Sequence, residues 1–137
     1  MDRSDTATKT TLFTLFNHTF TGDQEKDAYR SLGVQNIVSP PPAIQACWVK
    51  IPPDLADITG HLEPVLEWLR TIPNPGDYIL TQGDSGATFM IVNECFTLGL
   101  IPVYSTTLRN AKEQPGENGQ IDIIHRFSHV CFRGYKL

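Results

Sequence analysis

No Cys-x-x-Cys pair occurs in the sequence, and its three cysteines, Cys47, Cys95 and Cys131, lie far apart. A zinc ribbon and a thioredoxin-type redox motif are therefore excluded. Each cysteine sits among apolar neighbours, which predicts three buried free thiols and a reducing, cytoplasmic setting. Basic residues are also few, with 11 Lys and Arg against 15 Asp and Glu for a net charge of −4. A chain without clustered cations is not a coat for duplex nucleic acid. A small anion in a local pocket is still compatible with that charge. Apolar runs stay far below the ~18 residues of a membrane span. Residues 1–10 are polar and lack the apolar stretch of a secretory signal, so they read as a mobile leader. G-x-x-x-x-G-K-[ST], G-x-G-x-x-G, H-E-x-x-H and G-x-S-x-G are all missing, and no serine triad shows in the spacing.

What remains is an ordinary globular composition. The 137 residues are 40% hydrophobic and 19% charged, enough for one domain over residues 11–137 with its own core. Residues 12–16 form a strand rich in large apolar side chains, ending in the loop Asn17-His18-Thr19. Thr21 with Gln24 makes a capping box, and Gly33 closes the helix it opens. Residues 34–38 give a second strand. Five of the ten prolines lie between residues 39 and 57, which predicts a packed connection with at most one helical turn. Leu62, Val65, Leu66 and Leu69 mark one face of a helix, with Pro64 expected near its first turn.

Residues 77–81 are the third strand, followed by the turn Gln82-Gly83-Asp84-Ser85-Gly86-Ala87-Thr88 and a helix closed by Gly99. Residues 100–104 are the fourth strand, ending in Ser105-Thr106-Thr107-Leu108-Arg109. Strands alternating with helices predict a Rossmann-like α/β fold, a mostly parallel sheet flanked by helices. Asn118-Gly119 adds an antiparallel C-terminal hairpin at the sheet edge.

In such a sheet ligands bind beyond the carboxyl ends of the strands, where three polar clusters converge if their strands are neighbours. The middle cluster either serves as a helix N-terminus open to an anion or merely caps the helix and turns the chain. His18 is placed to transfer a proton, or only bonds local backbone. Arg109 is a phosphate-gripping guanidinium or a solvated surface arginine. His125 and His129, four apart on a strand, share a face but are separated by roughly 13 Å, too far to hold one metal. No metal site and no cofactor are expected.

These clusters carry a resemblance. The segments Leu15-Phe16-Asn17-His18-Thr19-Phe20-Thr21, Gln82-Gly83-Asp84-Ser85-Gly86-Ala87-Thr88 and Leu100-Ile101-Pro102-Val103-Tyr104-Ser105-Thr106-Thr107-Leu108-Arg109 resemble the small stand-alone ring nucleases of type III CRISPR antiviral systems. Ile51-Pro52-Pro53-Asp54-Leu55 and Phe127-Ser128-His129-Val130-Cys131-Phe132-Arg133 resemble them too. These proteins are relatives of the CRISPR-associated Rossmann-fold (CARF) sensor domains. The resemblance implies a homodimer that binds cyclic oligoadenylate, the four-membered ring first, and cuts it to linear products. The implied mechanism needs no metal: a ribose 2′-hydroxyl attacks the adjacent phosphorus. Catalytic residues vary within that group and none is carried over. Position and chemistry nominate His18, Arg109 and Thr107 as catalytic. They nominate Asn17, Thr19, Gln82, Gly83, Asp84, Ser85, Gly86, Thr88 and Thr106 as ligand-binding. The same clusters would serve a non-catalytic sponge or sensor for the ring. They would also serve a Rossmann-like domain for an ordinary nucleotide or phosphorylated metabolite.

Overall fold

A computed structural model describes residues 9–137. The predicted leader lies outside them except at its end, where the Thr10 carbonyl accepts the Gln35 N–H at 2.8 Å. The elements run β1 (Thr11–Phe16), α1 (Gly22–Asp27), β2 (Asn36–Val38), α2 (Pro42–Val49) and α3 (Thr59–Thr71). After them come β3 (Tyr78–Gln82), α4 (Ser85–Leu98), β4 (Ile101–Pro115) and β5 (Ile121–Gly134). The strands form one sheet in the order β2-β1-β3-β4-β5, parallel from β2 to β4, with β5 antiparallel to β4. This is the Rossmann-like α/β architecture, with an antiparallel C-terminal strand pair on one edge.

Central parallel strands bury both faces, and β1 is buried along its whole length. Phe13, Leu15 and Ile79 meet α2, α3 and α4 on one face, through Trp48, Leu62, Val65, Leu69, Ile91 and Cys95. Leu12, Phe16, Leu80 and Val103 point to the other face, where Ala28 and Val34 cover them. Each fully buried large side chain contributes about 1.5–3 kcal/mol.

Several local expectations need correcting. Residues 42–49 form a helix rather than a single turn, because the prolines bracket it. Pro42 occupies its first position, where a missing N–H costs nothing. Pro64 lies inside α3 rather than near its first turn, so the Gly60 carbonyl lacks its usual helical donor. The fourth strand extends well past residue 104, to Pro115. The helix opened by the Thr21 capping box continues beyond α1 as a π-helical turn, Ala28–Leu32, ending at Gly33 with φ 67°. Of the cysteines, Cys95 is buried and its thiol is pushed up to about 12 by burial. Cys47 is half-buried, and Cys131 is exposed, contrary to expectation.

Candidate functional site

The carboxyl ends of β1, β3 and β4 are neighbours in the sheet, so the three polar clusters do share one edge. One cavity takes residues from all three, but only Gln82 from the middle cluster. A cleft of about 530 Å³ opens on the α1 side of that edge. His18, Thr19 and Thr21 from the first loop line it, with Gln82 from β3 and Thr107 from β4. The antiparallel ribbon formed by β4 and β5 adds Phe127 and Ser128, and α1 adds Asp23 and Gln24.

The floor of the cleft is a hydrogen-bonded chain. Ser105 Oγ lies 2.6 Å from His129 Nδ1, and His129 Nε2 lies 2.6 Å from Asp27 Oδ2. The Ser31 hydroxyl donates to Asp27 Oδ1 at 2.5 Å. Gln24 Nε2 donates to Ser105 Oγ at 3.1 Å, while its Oε1 accepts the Thr21 N–H at 2.8 Å. Ser105 and Asp27 are buried, and the His129 side chain is only 4% exposed. Hydrogen bonds from Ser31 and His129 hold the Asp27 carboxyl below the usual carboxylate range, against the opposing effect of burial. Asp27 Oδ2 accepts the Nε2–H of His129. Nδ1 is then the acceptor for the Ser105 hydroxyl. This is the serine–histidine–aspartate chain that the spacing did not show.

A β-bulge aims His129 inward. Ser105 faces Phe132 and Thr107 faces His129, so β5 carries one residue more than β4 between those pairs. The extra residue places His129 and Phe132 on one face, their rings 4.6 Å apart. Thr106 pins the bulge from the outer side. Its Oγ1 accepts the Cys131 N–H and donates to the Cys131 carbonyl, both at 3.1 Å. That outward turn also exposes Cys131. Gln82 Oε1 accepts the Ser105 N–H at 2.7 Å, leaving the Gln82 amide nitrogen for the cleft.

The sequence-nominated residues thus divide. His18, Thr19, Gln82 and Thr107 line the cleft. Asn17 is exposed on the same loop without lining it. The turn after β3 does not line it either. A Cβ on Gly83 would stand 2.9 Å from the Trp48 ring, whose Nε1 donates to the Gln82 carbonyl at 3.0 Å. Asp84 caps α4 through the Ala87 N–H at 3.0 Å. Ser85 and Gly86 form the first turn of that helix, and the Thr88 hydroxyl is buried with no partner. Thr106 serves the bulge. Arg109 is exposed on the ribbon, with Nε 3.2 Å from His125 Nδ1. It lies on the cleft-side face two residues past Thr107, roughly 7 Å outward.

Gln24, Asp27, Ser105 and His129 were missed as site residues. A signal existed: Gln24, Asp27, Ala28 and Ser31 occupy i, i+3, i+4 and i+7, the stripe that should face the core, and three of them are polar. No lysine or arginine lines the cleft. Among the described residues no group of three or more His, Cys, Asp and Glu is arranged to hold a metal ion, and no helix is long and apolar enough to cross a membrane.

A family model described as the uncharacterized protein MJ1673 family matches residues 10–133. Uncharacterized protein MJ1673 of Methanocaldococcus jannaschii is 44% identical over 124 residues, covering 90% of this chain and 95% of that protein. No solved structure matches the chain. With the match running from the start of β1 to the end of the ribbon, the chain belongs to the MJ1673 family.

Proposed function

We propose that the protein is a ring nuclease that binds cyclic oligoadenylate, with the four-membered ring as first candidate, and cuts it to linear products in the cytoplasm. One observation carries the reading: a carboxyl-edge cleft whose floor is the Asp27–His129–Ser105 chain and whose mouth holds a second histidine, His18. Cleavage by internal attack needs a proton acceptor at the 2′-oxygen and a proton donor at the 5′-oxygen. Ser105 would take the 2′ proton while passing its own to His129 Nδ1. The 2′-oxygen then bonds to phosphorus as the bond to the 5′-oxygen breaks, and His18 donates a proton to the leaving 5′-oxygen. Asp27 stabilises the imidazolium that forms. The side chains of Thr19, Gln82 and Thr107 hold ribose and base edges, and positioning supplies the rest of the acceleration. No metal takes part, so excess chelator should leave the rate unchanged.

A second reading has its own support. The cleft suits one nucleotide better than a whole ring, and its lining offers phosphate no lysine or arginine. The size favours an ordinary nucleotide or phosphorylated metabolite, while the missing cations bear equally on every phosphate ligand. Incubation with cyclic tetra-adenylate, with products resolved chromatographically, separates the possibilities. Linear products ending in a 2′,3′-cyclic phosphate support the nuclease. Binding without cleavage supports a sponge. Neither binding nor cleavage across ring sizes overturns the proposal in favour of the second reading.

A further inference from the structure

The two faces of the β4–β5 ribbon differ in charge. With the bulge between Ser105 and Thr107 counted, the register puts Tyr104, Arg133, Arg126 and Lys112 on the face away from the cleft. Arg133, Arg126 and Lys112 are all exposed. Among the described residues of β4 and β5, Asp122 is the one carboxylate on that face, and it lies next to the tip. Strand pairing thus gathers cations that stand far apart in the sequence.

At the root of this outer face lies an open pocket of about 670 Å³, lined by Tyr104, Arg133, Gly134, Tyr135 and Lys136. Its walls are aromatic and its charges positive. The Tyr104 and Tyr135 rings stand 4.9 Å apart, tilted at 51°. Tyr135 Oη donates to the Thr81 carbonyl at 2.7 Å, and Arg133 Nη1 donates to Tyr104 Oη at 2.9 Å. These bonds hold both rings and leave further guanidinium N–H groups for a ligand. The cleft, by contrast, has no lysine or arginine in its lining. From Tyr104 to Lys112 the strand runs about 27 Å at ~3.4 Å per residue, too long for one nucleotide.

We infer that this outer face binds single-stranded nucleic acid without reading its sequence. A base stacks on the root tyrosines, and successive phosphates meet Arg133, Lys136, Arg126 and Lys112. Aromatic faces beside a line of cations are the two parts of such a surface. An acidic peptide would use the cations and leave the rings unused, and a duplex would keep its bases stacked inside. The inference does not depend on what the cleft binds.

The test follows the fluorescence anisotropy of a labelled oligothymidylate of about ten nucleotides, long enough to span the face. It lacks 2′-hydroxyls and so cannot be cut by internal attack. The full wild-type chain should bind it at low salt and lose affinity as salt rises, because phosphate contacts release counterions. Arg126→Glu and Arg133→Glu should each weaken binding by roughly fivefold or more and flatten the salt dependence. Tyr104→Leu should weaken it by roughly 5–100-fold with the salt dependence kept, because a stacking contact is lost. Lys26→Glu makes the same charge change on α1, which covers the opposite face of the sheet. It should bind within about twofold of wild type, since distant exposed charges are screened. A wild-type protein that fails to bind overturns the inference, as does equal weakening by Lys26→Glu and Arg126→Glu. So does a duplex bound as tightly as the single strand. A Tyr104→Leu variant with unchanged circular dichroism that binds like wild type also overturns it, because the face is then a plain polyanion surface.

Discussion

The loops after β1 and β3 leave the same edge of the sheet and end differently. The turn after β3 looks like a ligand cradle, with two glycines and a helix N-terminus. The space beside Gly83 is taken by Trp48, and Asp84 accepts one of the turn's donors, the Ala87 N–H. The loop after β1 leads into a helix whose core-facing stripe is polar, and there the sheet keeps an open cleft above a buried hydrogen-bonded chain. One side of the sheet is closed by packing. The other is held open by polar groups that satisfy each other. A glycine-rich turn signals close approach of backbone to something, and here that something is an indole.

The largest expected effect is on the open side. His129→Ala removes the proton acceptor and one partner of the buried Asp27 carboxylate, which keeps Ser31 and Arg30. It should lower single-turnover ring cleavage by ~10²–10⁴-fold and stability by about 1–3 kcal/mol. Cleavage at the wild-type rate would remove the buried chain from the chemistry. On the closed side, Gly83→Ala should cost ~1–3 kcal/mol by overpacking against Trp48, with ligand affinity unchanged in the folded protein. Loss of affinity without loss of stability would make the turn a ligand site after all.

A pH titration sharpens the contrast. Asp27 is held below the carboxylate range in the folded protein, so its stabilisation is present above the unfolded value near 3.8 and lost as pH falls through the lower folded value. Asp27→Asn should flatten stability against pH below about pH 4. An unchanged acid limb would show that the carboxyl gains nothing from Ser31 and His129. The smallest effect belongs to the ribbon: Arg109→Ala removes an exposed bond to His125 and should weaken ligand binding less than about tenfold. A larger loss would place that guanidinium on phosphate in the bound state.

Much of the frame was legible in residue order. Alternating apolar runs, the Thr21–Gln24 capping box and the glycines closing two helices gave the parallel sheet and its edge strands. The helix at Pro42–Val49 was hidden because proline was weighed by density rather than by position. The cleft was half legible: His18, Thr19, Gln82 and Thr107 sit at strand ends, where loops announce themselves. The chain beneath them was not. Asp27, Ser105 and His129 come from three distant segments, and a one-residue bulge decides which way His129 points. Alternation along a strand carries no sign of such an insertion.

The most direct measurement compares two hydroxyls on opposite sides of the sheet. Ser105 lies in the cleft floor; Thr88, on α4, is buried without a partner. Single-turnover cleavage of cyclic tetra-adenylate should fall by ~10²-fold or more in Ser105→Ala, where the proton path to His129 is cut. In Thr88→Val it should match wild type, with stability raised by up to about 1 kcal/mol as an unsatisfied hydroxyl is removed. A Ser105→Ala variant as fast as wild type, beside a Thr88→Val variant that has lost activity, would contradict the assignment and move the site to the turn after β3.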